Sequence, residues 1–385
     1  MIIAGCISGT SMDGIDVAVA ELTGIETGTV ALRPIHATTH DWSDAIRDRL
    51  LAALPPGRCD AGELCELDVL CGQEIGAAIA ATIRAAGVDA ELIVSHGQTI
   101  FHWVRPNAVA MGCIQLGQPA YIVQATGLPV VSDVRNRDIA AGGQGAPLAG
   151  TLDGLLLHSL PAGSALLNLG GIANVTVLQD DSVLAFDTGP ANCLIDLAVQ
   201  ERTGETYDRD GFLAATGKVD ILALTGLLND PYFSLQPPKS TGREHFDREY
   251  VAAHLAGLSP LSDSDLVTTL TEFTAVTVAD SLQPYGIRQV YASGGGARNP
   301  TMLARIEHHL GAPVATTAAL GLDPDSKEGY LMALLGYLTW NGVPGVLPGM
   351  TGSATPRILG RISPGDKPLR LPEPASPPTR LIVQP

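Results

Sequence analysis

Aromatic and charged residues are scarce in this chain of 385 residues. Aromatic residues make up 4% of it, and Asp, Glu, Lys and Arg together make up 16%. Hydrophobic residues reach 45%, so a sizeable core can form, and it must be built mainly from aliphatic side chains. Because the chain is longer than a typical single domain, two lobes are expected.

Basic residues are also few. Lys and Arg number 23 against 40 Asp and Glu, which gives a formal net charge of −17. Such a chain repels the polyphosphate backbone of nucleic acids, so nucleic-acid binding is not expected. A small phosphate ligand is still compatible with this charge, because backbone N–H groups and a metal ion can bind it locally.

Long apolar runs and the common cysteine motifs are missing. No stretch approaches the ~18 apolar residues of a membrane span, and the N-terminal MIIAGC lacks the basic and apolar segments of a signal peptide. The six cysteines form no C-x-x-C pair, and no His lies among Cys59, Cys65 and Cys71. We therefore expect a soluble cytoplasmic protein with reduced thiols, and no cysteine metal site.

A strand–turn–strand pattern occurs twice, at residues 2–20 and at 164–180, each time around a glycine-rich turn. The two stretches are not alike in sequence, so the repeat is one of architecture. With the helical patterns between the strands, it predicts an α/β protein of two related lobes, each opening with a hairpin. We expect an N-terminal lobe over 1–135, a C-terminal lobe over 136–360, and a loosely ordered, proline-rich tail over 361–385.

The first turn, GTSMDG, and the start of the next strand offer a candidate phosphate site. Glycines and hydroxyls there expose N–H and O–H donors together, and glycine lets the backbone approach a ligand closely. Asp13 or Asp16 could hold a magnesium ion, directly or through water. An ordinary hairpin turn also favours Asp and Gly. The candidate residues are Gly9, Thr10, Ser11, Met12, Asp13, Gly14, Ile15 and Asp16.

Three consecutive glycines, Gly294, Gly295 and Gly296, lie between a predicted strand and a predicted helix. Glycines at a helix N-terminus can form an anion or nucleotide site. The stretch is not G-x-G-x-x-G and no G-K-[ST] follows, so neither a dinucleotide fingerprint nor a Walker A loop is met. A tight strand-to-helix turn is the alternative.

Asp187, in FDTGPAN, follows a predicted strand. Strand ends of α/β folds face the ligand crevice, so this carboxylate is a candidate general base. The D-T-G triplet is also found in aspartic proteases, which need two such triplets, whereas this chain has one. A helix N-cap is the structural alternative for Asp187.

Amides, acids and arginines cluster after two further strands. SHGQT contains His96 and Gln98, and SDVRNRD contains Asp133 and Arg135. Such groups are what recognition of a polyol or sugar requires. A structural histidine and a surface salt-bridge run are the alternatives.

Together these stretches resemble the anhydro-N-acetylmuramic acid kinases, a family within the hexokinase–Hsp70–actin ATPase superfamily. The matches follow the family order and extend to about residue 360. They are SGTSMDGID (8–16), SHGQT with His102 (95–102), TGLPVVSDVRNRDIAAGGQGAPL (126–148), LNLGGIANVT (167–176), DTGPAN (187–192), DPYFSLQPPKSTGREHF (230–246), GGGARNP (294–300) and KEG (327–329).

The resemblance implies a two-lobed actin-like (ribonuclease H-like) fold with ATP and sugar in the cleft between the lobes, and a homodimer. It implies that residues 9–16 bind the ATP phosphates and that Asp187 is the catalytic base. Further nucleotide contacts would come from Gly170, Gly171, Gly294, Gly295, Gly296 and Asn299. Sugar contacts would come from His96, Gln98, Asp133, Arg135 and Asn192, and Mg²⁺ ligands from Asp13, Asp16 and Glu328.

The implied reaction opens a 1,6-anhydro sugar with water and phosphorylates O6 from ATP, giving N-acetylmuramate 6-phosphate and ADP in peptidoglycan recycling. The sequence departs from the family pattern at AGTLDGLLL (149–157), which bears on sugar specificity. A kinase of another anhydro sugar such as levoglucosan is therefore one alternative. A non-catalytic ATP-dependent sugar sensor is a second alternative, from another class of protein.

Overall fold

The structure is a computed structural model that describes residues 1–9, 12, 14–105, 109–180, 182–346, 350–353 and 355–385. The chain forms two compact units. Unit 1 contains Met1–Ser159 and Ser326–Pro385, and unit 2 contains Leu160–Asp325. Both units combine helices with a central sheet, so the predicted α/β class is confirmed.

Unit 1 is built on an eight-stranded sheet. Its strand order is β12 (Arg361–Ser363), β6 (Val130–Ser132), β4 (Leu92–Val104), β1 (Ile2–Ser8), β2 (Ile15–Thr23), β3 (Thr29–His40) and β13 (Arg380–Val383), with β5 (Ala110–Leu116) paired to β4. Its elements up to Ser159 are β1 (Ile2–Ser8), β2 (Ile15–Thr23), β3 (Thr29–His40), α1 (Asp44–Ala53), α2 (Ala61–Ala86), β4 (Leu92–Val104), β5 (Ala110–Leu116), α3 (Pro119–Thr126), β6 (Val130–Ser132), α4 (Asn136–Ile139) and α5 (Ala149–Leu157).

Unit 2 contains a five-stranded sheet in the order β11-β10-β7-β8-β9. Its elements are β7 (Ser164–Leu169), β8 (Ile172–Gln179), β9 (Ser182–Pro190), α6 (Asn192–Thr203), α7 (Phe212–Thr216), α8 (Ile221–Leu228), α9 (Arg248–His254), α10 (Asp263–Leu282), β10 (Gln289–Ser293), α11 (Pro300–Leu310) and β11 (Val314–Thr316). The chain then returns to unit 1 with α12 (Lys327–Trp340), β12 (Arg361–Ser363) and β13 (Arg380–Val383).

The same strand arrangement occurs in both sheets. In each unit the first three strands form an antiparallel meander, β1-β2-β3 or β7-β8-β9. Two later strands then run parallel to the first and extend the sheet on its other side, β4 and β6 or β10 and β11. The predicted repeat of architecture, with a hairpin opening each half, is therefore confirmed.

The compact units divide the chain at other places than the predicted lobe limits. The limit at 135/136 lies inside unit 1, because α5 packs against β13 and α12 packs against β1, β2 and β4. These contacts join segments far apart in sequence, so they cannot be predicted from local sequence patterns.

The C-terminal segment is more ordered than predicted. The expectation of a loosely ordered tail over 361–385 was wrong at both of its ends, since β12 pairs antiparallel with β6 and β13 pairs parallel with β3. Leu381 of β13 is fully buried. The prolines between the two strands exclude a helix, yet prolines are compatible with extended backbone along a sheet edge.

Helix α2 has a capping residue at its start and a glycine just after its end. The Asp60 carboxylate accepts a hydrogen bond from the Glu63 N–H at its start, and Gly87 ends it in the left-handed conformation. Leu67, Ile75 and Ile79 bury one face of the helix in the core of unit 1. The six cysteines are free thiols.

Within the described residues, no single helix is long and apolar enough to cross a membrane. Two segments joined at a bend, Arg209–Thr216 and Ile221–Leu228, are together long and apolar enough, by length and composition alone.

Helix α12 lies unusually close to the sheet of unit 1, because glycines face each other at the contact. A Cβ at Gly5 would lie 2.1 Å from the Gly329 carbonyl oxygen and 2.5 Å from the Ala333 nitrogen, both backbone atoms of α12. We therefore expect Gly5→Ala to lower the free energy of unfolding by about 1–3 kcal/mol, since the helix must move to admit one methyl group.

Urea unfolding followed by circular dichroism measures this effect. Gly112→Ala is the matched control: Gly112 also lies in a strand of the same sheet, and a Cβ there would meet no atom within 4 Å. Equal stability of the two variants would contradict the close approach of α12 to β1.

Candidate active site

The ends of the first turn are fixed by hydrogen bonds within unit 1. Ser8 Oγ donates to the Gly14 carbonyl oxygen at 2.8 Å, and the Met12 N–H donates to the Gly9 carbonyl oxygen at 3.1 Å. The side chains of Met12 and Ile15 are buried in the core. Any contact of these two residues with a phosphate would therefore come from main-chain atoms. Of the predicted phosphate residues, Thr10, Ser11 and Asp13 lie outside the described residues.

Asp16 and Glu328 are the predicted metal ligands that the structure describes, and they affect each other electrostatically. Glu328 lies in the first turn of α12, and its pKa is raised by burial and then by the negative charge of Asp16. Asp16 accepts a hydrogen bond from Thr39 Oγ1 at 2.6 Å. The positive charges of Arg135 and Lys327 act to lower the pKa of Glu328.

These carboxylates fit a magnesium ion that is also bound by phosphate. The described part of the chain contains no group of three or more His, Cys, Asp or Glu residues arranged to hold a metal. Mg²⁺, however, is typically held by one or two carboxylates together with substrate phosphates and water. Asp16 and Glu328 are two such carboxylates, and a bound Mg²⁺ would offset the repulsion between their negative charges.

Lys327, next to Glu328, forms a buried ion pair that sequence reasoning did not find. Its Nζ lies 2.7 Å from Asp153 Oδ1 on α5, and both side chains are almost fully buried. Asp153 belongs to the AGTLDGLLL stretch that departs from the family pattern. The ion pair joins α5 to the first turn of α12, where Glu328 lies.

His96 is buried and held in one neutral form. Its Nε2 accepts a hydrogen bond from Arg135 Nε at 2.8 Å and is 3.0 Å from Gln115 Nε2, so its Nδ1 carries the proton and donates to the Gly97 carbonyl oxygen. Burial, followed by the charge of Arg135, lowers the pKa of His96 to about 3. At neutral pH this imidazole is therefore uncharged, with both of its nitrogens engaged in hydrogen bonds.

The other predicted sugar residues of unit 1 are Gln98, Asp133 and Arg135, and Arg135 is in direct contact with this histidine. Gln98 Nε2 donates to the Gly9 carbonyl oxygen at 3.2 Å and thereby links β4 to the first turn. Arg135 also donates to the Gly145 carbonyl oxygen at 2.7 Å, and burial lowers its pKa. Asp133 accepts a hydrogen bond from Asn136 Nδ2 at 2.7 Å. The structure thus brings His96 and Arg135 into contact and places Gln98 beside the candidate phosphate loop.

Asp187 lies within strand β9 of unit 2, opposite Asn174 of β8. Its Oδ2 accepts a hydrogen bond from the Thr241 N–H at 2.9 Å. Burial raises the pKa of this carboxyl, and the Thr241 N–H partly opposes the rise. The N-cap interpretation is wrong, because α6 begins at Asn192 and its N-cap residue is Ala191.

The loop containing PPKSTGRE supplies the surroundings of Asp187. The Asp187 N–H donates to the Lys239 carbonyl oxygen at 3.0 Å, and the Tyr232 hydroxyl donates to the Asp187 carbonyl oxygen at 2.8 Å. Lys239 Nζ lies 4.5 Å from the centroid of the Tyr232 ring, and burial lowers its pKa. The sequence did not single out Tyr232, Lys239 or Thr241 as a site residue, although the motif itself was a signal for them.

The two glycine turns of unit 2 lie near one another. The carbonyl oxygens of Gly170 and Gly171 accept hydrogen bonds from the N–H groups of Asn192 and Ala191, at 3.0 and 2.9 Å. A Cβ at Gly296 would lie 3.0 Å from Asn192 Oδ1. Asn192, predicted to contact the sugar, is therefore packed between the glycines predicted to contact the nucleotide.

The sequence suggested that the triple glycine lies at a helix N-terminus. The structure shows a different arrangement. Gly295–Arg298 forms a 3₁₀ turn, and α11 begins only at Pro300. Asn299 caps that helix, because its Oδ1 accepts a hydrogen bond from the Met302 N–H at 2.9 Å. The side chain of Asn299 is thus used for capping and is largely buried.

Comparison with known proteins agrees with these motifs. A family model described as anhydro-N-acetylmuramic acid kinase matches residues 1–365. Curated proteins of that name include one from Streptomyces coelicolor, 46% identical over 99% of this chain and 98% of its own length. Another, from Rhodococcus erythropolis, is 44% identical over 95% of each chain.

Among solved structures, this chain is similar to the activator of the 2-hydroxyisocaproyl-CoA dehydratase from Clostridium difficile with bound ADPNP. The TM-score is 0.43 at 11% identity, with 87% of this chain and 93% of that chain covered. A similarity at this level supports no conclusion about function.

The duplicated sheet topology defines a two-unit α/β protein of the actin-like fold class. At the level of sequence, the match over 365 residues and the identities above place this chain in the anhydro-N-acetylmuramic acid kinase family.

Proposed function

We propose that this protein is an ATP-dependent kinase of anhydro-N-acetylmuramic acid, giving N-acetylmuramate 6-phosphate and ADP, and that it serves peptidoglycan recycling in the cytoplasm. The observation that carries the proposal is the Asp187 carboxylate. It is half-buried, its pKa is raised, and its Oδ2 accepts a hydrogen bond from a backbone N–H of the PPKSTGRE loop. A carboxylate of this kind is suited to take a proton from water near neutral pH.

In the proposed reaction, Asp187 takes a proton from a water molecule whose oxygen attacks the anomeric carbon. The bond from that carbon to O6 breaks, and O6 forms a bond to the γ-phosphorus of ATP while ADP leaves. Because phosphate captures O6, no second carboxylic acid is needed to protonate it, unlike in inverting glycoside hydrolysis.

The glycine turns serve the nucleotide in this proposal. Phosphoryl transfer depends on positioning and charge neutralisation more than on covalent help from the protein. Backbone N–H groups of residues 9–16 in unit 1 would contact the phosphates. In unit 2 the turns at Gly170–Gly171 and Gly294–Gly296 would contact the rest of the nucleotide, with Asn299 bracing the second turn through its cap on α11.

Asp16 and Glu328 would hold Mg²⁺, and the ion when bound would neutralise charge on the β- and γ-phosphates. The proposed sugar contacts are His96, Gln98, Asp133 and Arg135 in unit 1 and Asn192 in unit 2. Neutral His96 positions the Arg135 guanidinium by accepting its N–H. We also propose that the protein forms a homodimer, on family membership alone.

Mass analysis of the product formed in ¹⁸O-labelled water tests the proposed function. With ATP, Mg²⁺ and anhydro-N-acetylmuramic acid, we expect one heavy oxygen at the anomeric hydroxyl and an unlabelled phosphate ester at O6. A parallel assay with levoglucosan measures whether another anhydro sugar is preferred. ATP binding without sugar-dependent ADP release would instead favour the sensor.

A further inference from the structure

Unit 1 contains a cavity of ≈ 460 Å³ on the face of its sheet covered by α2. Small-ligand pockets are typically about 300–1,000 Å³. Its walls come from the first half of α2, from β4 and β5, and from the end of β6. His96 and Asp133 line it, whereas most of its other lining residues were not predicted to contact any ligand.

Register brings two serines together in the wall of this cavity. Ser95 of β4 is paired with Ser132 of β6, and Ser132 is paired in turn with Arg361 of β12. Paired residues on neighbouring strands point to the same face, so these three side chains form one row. All three line the cavity, and the two serines are 1% and 6% exposed.

Three polar atoms in the wall are buried without a hydrogen-bond partner among the described residues. They are the Oγ atoms of Ser95 and Ser132 and the Oε1 of Gln115. Gln115 Nε2 is engaged with His96 Nε2, which fixes the amide with its oxygen free. Leaving a buried polar group unpaired costs about 1–3 kcal/mol, so the three atoms are available to pair with a ligand that enters the cavity.

The chemistry of these atoms selects the ligand group. The Gln115 oxygen can only accept, so the ligand must offer a donor, while the serine hydroxyls can donate to an oxygen. A secondary amide offers one N–H and one carbonyl oxygen. Leu64 and Leu116 add apolar surface to the same cavity, which suits a methyl group.

The charges of the cavity disfavour a carboxylate ligand. Asp68 and Asp133 both line it. Arg361 Nε lies 3.9 Å from Asp133 Oδ2, and the arginine side chain is 71% exposed, so this cation is largely solvated. A neutral acetamido group therefore fits the cavity better than an acidic substituent such as a lactyl carboxylate.

We propose that this cavity is a pocket for the acetamido group of the sugar substrate, with Ser95, Ser132 and Gln115 as residues that determine specificity. The inference rests on the proposed function and deepens it. Gln115 contacts His96, and His96 contacts Arg135, so the pocket is joined by direct hydrogen bonds to the residues proposed to bind the sugar.

Two sugars that differ only at C2 test the proposal. 1,6-Anhydro-N-acetylglucosamine carries the acetamido group, and levoglucosan carries a hydroxyl there. For the double variant Ser95→Ala, Ser132→Ala, we expect kcat/KM on the acetamido sugar to fall about tenfold, the effect of losing one or two hydrogen bonds. On levoglucosan we expect a change below about twofold, because its C2 hydroxyl does not reach the serines.

Ser164→Ala is the matched control for loss of a buried serine hydroxyl. Ser164 is 6% exposed like Ser132, but its Oγ donates to the Pro161 carbonyl oxygen at 2.8 Å in unit 2. An equal loss of kcat/KM on both sugars, or no loss on the acetamido sugar, would overturn the proposed pocket.

Calorimetric binding of the acetamido sugar without ATP separates the pocket proposal from the kinase proposal. If the double variant binds this sugar more weakly while the wild type shows no turnover, the pocket is supported and the kinase is rejected.

A second variant keeps the test valid if the double variant does not fold. Cys65 lies at the exposed rim of the cavity on α2, so Cys65→Phe would narrow the pocket without removing a buried group. We expect the same selective loss on the acetamido sugar. Gln73→Phe is its control, since Gln73 is also exposed on α2 and does not line the cavity. Unchanged selectivity in the folded Cys65→Phe protein would overturn the proposal.

Discussion

Asp187→Asn is expected to lower kcat by about 10²–10⁴-fold, the range that a positioned general base contributes. The substitution keeps the size of the side chain. It also keeps an oxygen that can accept the Thr241 N–H, which lies 2.9 Å from Asp187 Oδ2 in the wild type. The loss should therefore come from the missing proton acceptor and not from a displaced loop.

Steady-state ADP release with anhydro-N-acetylmuramic acid measures the effect, with ATP affinity followed separately by calorimetry. Asp280→Asn is the control, because Asp280 is an exposed carboxylate on α10. An Asp187→Asn protein with wild-type turnover would show that another group activates the water.

The same carboxylate gives a pH dependence with a definite sign. Burial raises the pKa of Asp187 above the ordinary aspartate value of about 3.9. Since the base must be ionised, kcat/KM should fall on the acid side at a higher pH than an ordinary aspartate would give. The raised pKa also means that the folded state favours the protonated form. This contribution to stability is present at low pH and is lost as the pH rises through the folded-state pKa.

Asp187→Asn should therefore be the more stable protein at neutral pH, and its advantage should shrink as the pH falls. Thermal unfolding of both proteins at a series of pH values measures the difference. A variant that is less stable than the wild type at pH 7 would mean that the Thr241 hydrogen bond needs the carboxylate charge.

Local patterns predicted the hairpin that opens each of the two units. The strand–turn–strand pattern at residues 2–20 and 164–180 predicted both hairpins. The order of the C-terminal segment was missed, because pairing of β13 with β3 joins residues about 350 positions apart, such as Arg380 and Thr29. Proline composition describes the backbone between the two strands and carries no information on such pairing.

The candidate site shows the same division between local and distant information. Asp187 was found from its own motif, but its hydrogen bond to Thr241 joins residues 54 positions apart and required the fold. Likewise, the row of Ser95, Ser132 and Arg361 follows from strand register. Single serines in strands carry no functional signal in a sequence. The charge environment of Glu328 was also hidden, since Asp16 and Arg135 approach it from other elements.

Glu328→Gln is expected to raise the half-saturating Mg²⁺ concentration by about 10–100-fold, the effect of losing a group that supports a metal either directly or through a bound water. Glu328 lies in the first turn of α12, which glycine contacts hold close to β1, and Asp16 lies near enough to raise its pKa. Two carboxylates so close together repel each other, and a cation bound between them and a phosphate would offset that repulsion.

The measurement is a Mg²⁺ titration of ADP release at saturating sugar, together with calorimetric binding of ATP in the presence and absence of Mg²⁺. Glu26→Gln removes an exposed carboxylate of unit 1 and is the control. In the wild type, Mg²⁺ should strengthen ATP binding more than it does in Glu328→Gln. If both proteins show the same dependence, Glu328 does not support the ion. Its charge would then serve to position the Arg135 guanidinium, because a carboxylate at this place still attracts the cation that contacts His96.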